Sequence, residues 1–353
     1  MNEVRQFSAN KILNHPERIA EWLRTGTTMP ITYEFDLTNR CNNDCPYCFG
    51  FSDRHRHQES VDGVFIDRVL RQITAAGGKA VTFTGGGEPL LHPEALRAVS
   101  LAKQLGLDVG FITNGLALTP AAARALVRHC TWVRISIDAA TRTTYRRMHG
   151  VDGFDRVLGN VRELVRQKRQ RRSRTTLGVA FLTCRETRRE IVPFARLGCA
   201  LGVDYVQYRP LLTPSEDKYV DQHADYATDI IRRISRARKC ATRRCAILWS
   251  KHKYDLVAAG GQLRTYGECH GHHFAAVIAA DRKMYLCCHL RGRQQYCLGD
   301  LSRQSLRQIW SSPRRRRVYR HIDFRDCPFL CRCDSFNTIL WGIAQPKPHI
   351  NFL

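Results

Sequence analysis

Residues 31–48 read ITYEFDLTNRCNNDCPYC and combine a strand pattern with three closely spaced cysteines. Side chains alternate between apolar and polar over 31–37, which predicts a β-strand. Cys41, Cys45 and Cys48 follow this strand directly. Three thiolates in so short a loop can bind one metal centre, either zinc or an iron–sulfur cluster. Because no fourth cysteine lies nearby, the spacing favours a [4Fe–4S] cluster with one open iron, and structural zinc is the alternative.

Similar apolar runs return along the chain, separated by helical patterns. Predicted strands cover 31–37, 80–84, 109–113, 132–138, 177–183 and 205–211, and predicted helices cover 61–76, 92–105, a stretch from 120, 143–170 and 186–201. Thr119 and Pro120 are typical of a helix start. Strands alternating with helices indicate an α/β fold with a parallel sheet, and the units are too few for a closed eight-fold barrel. We therefore expect a partial (β/α)6 barrel with its chemistry at the C-terminal ends of the strands.

Composition and charge narrow the function classes. The chain has 353 residues, 43% of them hydrophobic, and a formal net charge of +24 from 56 Lys and Arg against 32 Asp and Glu. No stretch approaches the ~18 apolar residues of a membrane span, and no signal-peptide core follows Met1, so we expect a cytoplasmic protein without a membrane partner. The charge alone keeps a nucleic-acid-binding or RNA-modifying protein as an alternative, although arginines on solvated helices explain it more simply.

The 15 cysteines are unevenly distributed. In a cytoplasmic chain they are expected as reduced thiols and metal ligands, not disulfides. Nine lie in the last third: Cys240, Cys245, Cys269, Cys287, Cys288, Cys297, Cys327, Cys331 and Cys333. We therefore predict an N-terminal helical extension over 1–30, a barrel core over 31–239 and a cysteine-rich domain over 240–353.

Two motifs of the sequence together resemble those of a known family. The CxxxCxxC spacing of Cys41, Cys45 and Cys48 after a first strand, followed by Gly86-Gly87-Glu88-Pro89 after the second, resembles the radical S-adenosylmethionine (radical SAM) enzymes. The resemblance implies that the three cysteines hold a [4Fe–4S] cluster whose open iron binds S-adenosylmethionine. Gly86, Gly87 and Glu88 would receive the methionine ammonium, because a glycine run at a strand end lets a ligand approach the backbone.

Other strand-end residues have weaker assignments. Tyr47 occupies the position where the family commonly places an aromatic ring near adenine. Three further residues lie at strand ends and point to the same mouth of the barrel, the end formed by the C-termini of the strands: Asn114, Ser136 and Asp138. They would bind the ribose or the carboxylate of the cofactor, and ordinary roles in turns or helix caps are equally open. Arg209, at the sixth strand end, would pair with a carboxylate or lie on the surface.

The C-terminal third resembles the SPASM/twitch extension of radical SAM enzymes, whose cysteines bind an auxiliary [4Fe–4S] cluster. Residues 273–290 predict a hairpin turning at 281–283, with Arg282 where the family usually has glycine. The resemblance implies one auxiliary cluster held by Cys269, Cys287, Cys327 and Cys331, with Cys333 as the alternative among the last three cysteines. An all-thiolate zinc site needs the same donors and stays open. Cys288 and Cys297 are spare or belong to a second cluster, and the histidines of 270–273 are expected to be solvated.

Together these features predict an enzyme that cleaves S-adenosylmethionine reductively to a 5′-deoxyadenosyl radical and abstracts hydrogen from an unactivated carbon. The expected substrate is a small polar molecule, such as a neutral or anionic sugar or nucleoside, and oxidation is favoured over epimerisation. Maturation of a ribosomal peptide is the alternative. Cys184, directly after the fifth strand, is the candidate hydrogen donor for epimerisation, although an inert buried thiol is its simpler role. An electron donor such as flavodoxin or ferredoxin is implied.

Overall fold

The computed structural model describes residues 8–48, 58–214, 219–220, 226–259, 264–328, 330–349 and 351. Its strands are β1 Thr32–Asp36, β2 Ala80–Thr84, β3 Asp108–Thr113, β4 Trp132–Ser136, β5 Thr176–Thr183, β6 Tyr205–Pro210, β7 Thr213–Pro214, β8 Tyr219–Val220, β9 Ala246–Trp249, β10 Ala275–Ile278, β11 Lys283–Tyr285 and β12 Cys297–Asp300. Its α-helices are α1 Pro16–Thr25, α2 Gly63–Ala75, α3 Ala95–Gln104, α4 Pro120–His129, α5 Arg142–His149, α6 Phe154–Gln170, α7 Ile191–Leu201, α8 Ala227–Ala237, α9 Lys251–Ala258, α10 Leu306–Ser311, α11 Pro313–Arg320 and α12 Asp334–Ala344.

Within the described residues the main sheet has ten strands in the order β12-β11-β10-β1-β2-β3-β4-β5-β6-β9. Strands β1 to β6 run parallel, with β9 added to β6 and β10 added to β1 in the same direction. The end strands β12 and β9 do not pair with each other, so the sheet stays open. This confirms the expected partial barrel, and the strands added at both edges were not predicted as part of it.

The alternation along each strand separates an apolar face from a polar one. On β1, Tyr33 and Phe35 are fully buried in the main core. The Phe35 ring lies 6.2 Å from Phe65 of α2 and 6.2 Å from Phe83 of β2, so this face packs against the helices. Glu34 and Asp36 therefore lie on the opposite, concave face, where a polar site can be built.

Thr119 caps α4 as expected, because its hydroxyl accepts the Ala122 N–H at 3.2 Å. The single helix predicted over 143–170 is wrong: α5 ends at His149, and α6 starts at Phe154. Gly150 has φ +69°, a conformation that favours glycine and ends α5.

The predicted hairpin is present as antiparallel β10 and β11, and it joins the main sheet through β1. Arg282 keeps the positive φ of 64° that glycine usually supplies at such a turn. The domain boundary near 240 stays a prediction. The N-terminal segment packs on the C-terminal one, since Ile12 and Trp22 share a small core with Phe274 and Leu340. Among the described residues, none of the helices has the length and apolarity to cross a bilayer.

Candidate functional site

The loop that carries Cys41, Cys45 and Cys48 is braced on one side by the glycine turn after β2. The Gly87 N–H donates to the Thr38 carbonyl at 3.0 Å, and the Glu88 N–H donates to the Arg40 carbonyl at 2.8 Å. A Cβ on Gly87 would lie 2.1 Å from the Arg40 carbonyl oxygen. Only glycine therefore allows this turn to lie against the backbone that leads into Cys41.

The other side of the loop is braced by the break between α5 and α6. The Asp44 N–H donates to the His149 carbonyl at 2.9 Å. A Cβ on Gly150 would lie 2.1 Å from the Asp44 carbonyl oxygen. The break that the sequence prediction missed is thus where the cysteine loop packs on the barrel.

The three thiols of the loop are half-buried and share polar neighbours. The Asn43 N–H lies 3.5 Å from the Cys41 sulfur, and the Asn114 side-chain amide donates to the same sulfur at 3.9 Å. Such donors favour the thiolate form that iron needs. Within the described ranges no three His, Cys, Asp or Glu side chains converge closely enough for a single metal ion. The donor chemistry of the loop, three accessible thiols with amide donors directed at sulfur, fits an iron–sulfur cluster.

His149 is a neighbour of this loop that sequence reasoning missed. Its Nε2 lies 2.8 Å from the Ile137 carbonyl, so Nε2 carries the proton and Nδ1 is an acceptor. Asn43 donates to that Nδ1 at 3.0 Å, and the Cys45 sulfur lies 3.5 Å from it. Burial lowers the pKa of His149, which keeps the ring neutral. The sequence signal was the glycine that follows it, which marks a helix end.

Glu88, predicted to bind the methionine ammonium, is buried, and its carboxylate is already hydrogen-bonded. It accepts from the Leu90 N–H at 3.0 Å, the Thr113 hydroxyl at 2.7 Å and the Asn114 N–H at 2.7 Å. Burial raises the pKa of Glu88, while these donors oppose the increase. The carboxylate therefore joins the ends of β2 and β3, and its contact with a cofactor stays a prediction.

The other predicted cofactor residues lie at the same strand ends. The Gly86 N–H donates to the Asp36 carboxylate, and the Asn114 side-chain amide donates to Asn42 at 2.7 Å. Ser136 is the last residue of β4 and is half-buried. Asp138, with φ 55°, is buried and accepts the Leu182 N–H at 2.7 Å. The structure brings these residues to one mouth, and their roles stay predictions.

Tyr47 and Cys184 lie together on one side of this mouth. Tyr47 is half-buried and packs on a small cluster formed by Met148, Cys184 and Leu211. Cys184 is completely buried, its sulfur lies 3.4 Å from the Thr187 hydroxyl, and burial raises its pKa to about 12. The thiol is therefore protonated, and its proposed role as hydrogen donor is untested.

The tail cysteines form a second group, here called the tail thiols and defined as Cys269, Cys287, Cys327, Cys331 and Cys333. Burial, followed by the nearby charge of Cys331, raises the pKa of Cys269 and of Cys327 to about 12 each. Burial and neighbouring cysteines likewise hold the pKa of Cys287 well above its ordinary value. The charge of Cys331 thus acts on Cys269, Cys287 and Cys327, which come from distant segments, and their role as auxiliary ligands stays a prediction.

Cys331 and Cys333 are both within this group. The Cys333 thiol and its N–H, the latter 3.4 Å from the Cys331 sulfur, hold the pKa of Cys331 well below its usual range. A cavity of about 60 Å³ between the tail thiols and the concave face of β1 is lined by Cys287, Cys288 and Cys333. Neighbouring thiols beside a small cavity fit an iron–sulfur cluster, and the choice between Cys331 and Cys333 stays open.

Two ion pairs join the tail to the concave face of β1. Arg291 donates to the Asp36 carboxylate at 2.5 Å, and Arg332 pairs with Glu34. Burial raises the pKa of Asp36 to about 6, although Arg291 and the Gly86 N–H oppose this. The charges of Asp36, Cys288 and Cys48 act on Arg291 and raise its pKa despite burial. Arg291 therefore lies between the loop thiols and the tail segment.

The histidines of 270–273 are not solvated as expected. His272 and His273 are buried, with 3% and 4% of their surfaces exposed. The His273 Nδ1 accepts from the Arg315 guanidinium at 3.0 Å, and burial lowers the pKa of His273 to about 2. The expectation was wrong because α11 and α12 cover the entry to the hairpin. Cys199 and Cys245 lie apart from both thiol groups, with their sulfurs 2.8 Å from each other.

Two family models match the chain. The radical SAM superfamily matches residues 35–197, and the SPASM iron–sulfur cluster-binding domain matches residues 269–334. Among curated relatives, a probable GTP 3′,8-cyclase of Saccharolobus solfataricus is 29% identical over 176 residues, 48% of this chain and 53% of that protein. PqqA peptide cyclase of Gluconobacter oxydans is 28% identical over 202 residues, 54% of this chain and 55% of that protein. The match thus spans about half the length of these relatives.

Solved structures share the architecture at low identity. Streptococcus suis SuiB bound to S-adenosylmethionine superposes with a TM-score of 0.67 at 13% identity, covering 88% of this chain and 72% of that one. Native anSMEcpe with bound AdoMet superposes with a TM-score of 0.61 at 14% identity, covering 89% of this chain and 99% of that one. At these identities the similarity supports the shared fold.

Proposed function

The chain belongs to the radical SAM superfamily and carries a SPASM iron–sulfur domain, and from this we propose that it oxidises a small polar substrate at an unactivated carbon. Cys41, Cys45 and Cys48 would hold the S-adenosylmethionine cluster, and four of the tail thiols would hold the auxiliary cluster. When bound, these groups supply a 5′-deoxyadenosyl radical and an acceptor for one electron. Flavodoxin or ferredoxin is the proposed reductant.

The observation that carries the proposal is the position of Arg291. It pairs with Asp36 at the end of β1, and the charges of both Cys48 and Cys288 act on it. Arg291 thus links the segment that leads to the tail thiols with the end of β1, which leads into the loop that would hold the first cluster. A substrate bound beside Arg291 would lie between the source of the radical and the acceptor of the remaining electron, as a net oxidation requires.

The chain's own residues do the positioning. Gly87 and Gly150 clamp the cysteine loop, and Glu88 joins β2 to the Asn114 turn. Arg291 and Arg332 compensate the carboxylates of Asp36 and Glu34, so that the concave face of β1 carries no uncompensated negative charge next to thiolate-bound clusters. These roles are structural and do not require the residues to react.

A peptide substrate is the second candidate, because a relative is PqqA peptide cyclase. A small polar substrate is preferred because charged side chains line the concave face. A nucleic-acid substrate is supported by the formal charge of +24 alone.

The central test is anaerobic reconstitution followed by reduction with dithionite. We expect the holoenzyme to release equal amounts of 5′-deoxyadenosine and methionine, measured by chromatography. Absence of both products from protein with a full iron content would contradict the proposed function.

The net reaction is tested once a substrate has been found among sugars, nucleosides and peptides. Oxidation predicts one S-adenosylmethionine consumed for each product and no solvent deuterium at the abstracted carbon. Turnover in deuterated water that leaves one non-exchangeable deuterium there would instead support epimerisation, with a cysteine as hydrogen donor.

A further inference from the structure

We propose that Cys199 and Cys245 are a disulfide-forming pair, which a small-molecule disulfide oxidises and which then fastens the edge strand β9 to the barrel. The inference goes beyond the proposed function. Neither cysteine belongs to the loop thiols or to the tail thiols, and the bond forms without S-adenosylmethionine or a substrate.

The distance between the two sulfurs is the first observation. They lie 2.8 Å apart. This is closer than the roughly 3.5–4.0 Å at which even the smaller carbon atoms attract best. It is only about 0.8 Å longer than the S–S bond of a disulfide. A small adjustment of the two side chains therefore brings the sulfurs to bonding distance.

The backbone of Cys245 is fixed at the start of β9. Its N–H donates to the Thr242 hydroxyl at 3.0 Å, and its carbonyl accepts the Thr242 N–H at 3.0 Å. The next residue, Ala246, donates its N–H to the Asp204 carbonyl at 2.9 Å, directly before β6. The turn that carries Cys245 is thus held against β6, and only 2% of the residue is exposed.

Cys199 reaches the same place from α7. This helix lies close on β6, because a Cβ on Gly198 would lie 2.3 Å from the Val206 side chain. Cys199 is half-buried, and its sulfur also lies 3.4 Å from the Cys240 carbonyl. Both cysteines are therefore positioned by elements that pack on β6, and they meet without any rearrangement of the sheet.

The chemistry is a thiol–disulfide exchange in two steps. The more accessible Cys199, as its thiolate, attacks one sulfur of oxidised glutathione, so that a mixed disulfide forms and one glutathione leaves. Cys245 then loses its proton and attacks the Cys199 sulfur, which releases the second glutathione. The pair loses two electrons and two protons, and the glutathione disulfide gains both. The second step is intramolecular, because the sulfurs are already adjacent.

The bond would act on the most weakly anchored strand at this end of the sheet. Within the described residues β9 is the last strand of the main sheet, and its one neighbour there is β6. The two cysteines are 46 positions apart in sequence, so the bond closes a long loop and restricts the unfolded chain. Because Cys245 is enclosed, reductants reach the bond poorly, and it persists where exposed disulfides are reduced.

A third thiol, that of Cys240, is the competing partner. Burial raises the pKa of Cys199, the hydrogen bond with Cys245 opposes this increase, and the charge of Cys240 adds to it. Oxidation is therefore expected to be slow, and any experiment has to distinguish Cys240 from Cys245. Trypsin makes this possible, because its cleavage after Arg and Lys leaves the three cysteines on separate peptides, 197–209, 240–243 and 245–251.

The experiment treats the reconstituted holoenzyme at pH 8 without oxygen, either with excess oxidised glutathione or with dithiothreitol. The samples are quenched in acid and denatured, their free thiols are alkylated, and the tryptic peptides are identified by mass spectrometry. We expect peptides 197–209 and 245–251 to be joined in the oxidised sample and separate in the reduced one. We also expect the oxidised protein to unfold at a Tm at least about 3 °C higher.

The variant Cys245→Ser should lose both the joined peptides and the dependence of Tm on oxidised glutathione. Cys199→Ser should do the same, and it keeps the test available if the buried position does not tolerate serine. The matched control is Cys130→Ser, which changes a buried thiol at the end of α4. This control should form the bond and gain stability as the wild type does.

Four results would overturn the proposal. The first is a wild type whose two peptides stay separate in excess oxidised glutathione, and the second is a bond to Cys240 in place of this pair. The third is a gain in Tm that survives in Cys245→Ser. The fourth is zinc bound by the wild type and lost from Cys245→Ser, which would make these thiols a metal site. Release of 5′-deoxyadenosine tests the proposed function separately, so the two can fail independently.

Discussion

The two thiol groups are built in opposite ways. Cys41, Cys45 and Cys48 come from one eight-residue loop, 41–48, and remain half-buried. The tail thiols come from segments as far apart as Cys269 and Cys333, and two of them, Cys287 and Cys333, line a small cavity. The first group needs only a correctly held loop, whereas the second depends on the packing of the whole tail. The two groups differ in how they are assembled more than in exposure, because four of the five tail thiols are half-buried too.

The largest expected effect follows from removing one ligand of the loop. Cys45→Ala should reduce 5′-deoxyadenosine formation to the level without protein, because the remaining thiols cannot hold a cluster with an open iron. The matched control is Cys130→Ala, a buried thiol at the end of α4 that belongs to neither group. A Cys45→Ala protein that still cleaves S-adenosylmethionine would remove the assignment of the loop.

The independence of the groups is tested by the triple variant Cys41→Ala/Cys45→Ala/Cys48→Ala. It should keep about four irons, the content of one [4Fe–4S] cluster, because the tail thiols are untouched. Iron and zinc are measured by mass spectrometry on protein reconstituted alongside the wild type. Cys287→Ala is the converse control and should keep the first cluster. Zinc without iron in the triple variant would favour a structural metal in the tail.

The support of the loop is tested at Gly150. Gly150→Ala should destabilise the protein by more than the ~1–2 kcal/mol of a left-handed backbone alone, because the new Cβ would lie 2.1 Å from the Asp44 carbonyl oxygen. We expect lower iron loading of the first site, with the tail site unchanged. Gly26→Ala is the matched control, since Gly26 has φ +74° with nothing within 4 Å of its Cβ. Equal unfolding free energies for the two variants would contradict the packing argument.

The smallest effect is expected in the tail hairpin. Arg282→Gly removes a left-handed strain of ~1 kcal/mol and also an exposed ion pair with Asp62 at 2.9 Å, which is worth about 0–1 kcal/mol. These terms nearly cancel, so chemical unfolding should show a change within about 1 kcal/mol. A loss greater than about 2 kcal/mol would show that this arginine supports the tail more than its contacts suggest.

Local sequence patterns were enough to predict much of the fold. The strands and helices of the core could be predicted because alternation along a strand and periodicity along a helix are visible within a few residues. The loop cysteines could be predicted for the same reason, since all three lie in one short stretch. The exception was the break after His149, because the reason for it is the backbone of Asp44, which is remote in sequence.

What the sequence by itself determined is therefore the parallel βα order, the cysteine loop and the cysteine-rich character of the tail. Only the tertiary structure decided which charged side chains form ion pairs. Arg291 reaches Asp36 across 255 residues, and α9 is held at both Thr183 and Asp334 through Tyr254 and His252. The physical reason is that a side chain's periodicity assigns it to a face, while its partner is set by the packing of elements distant in sequence.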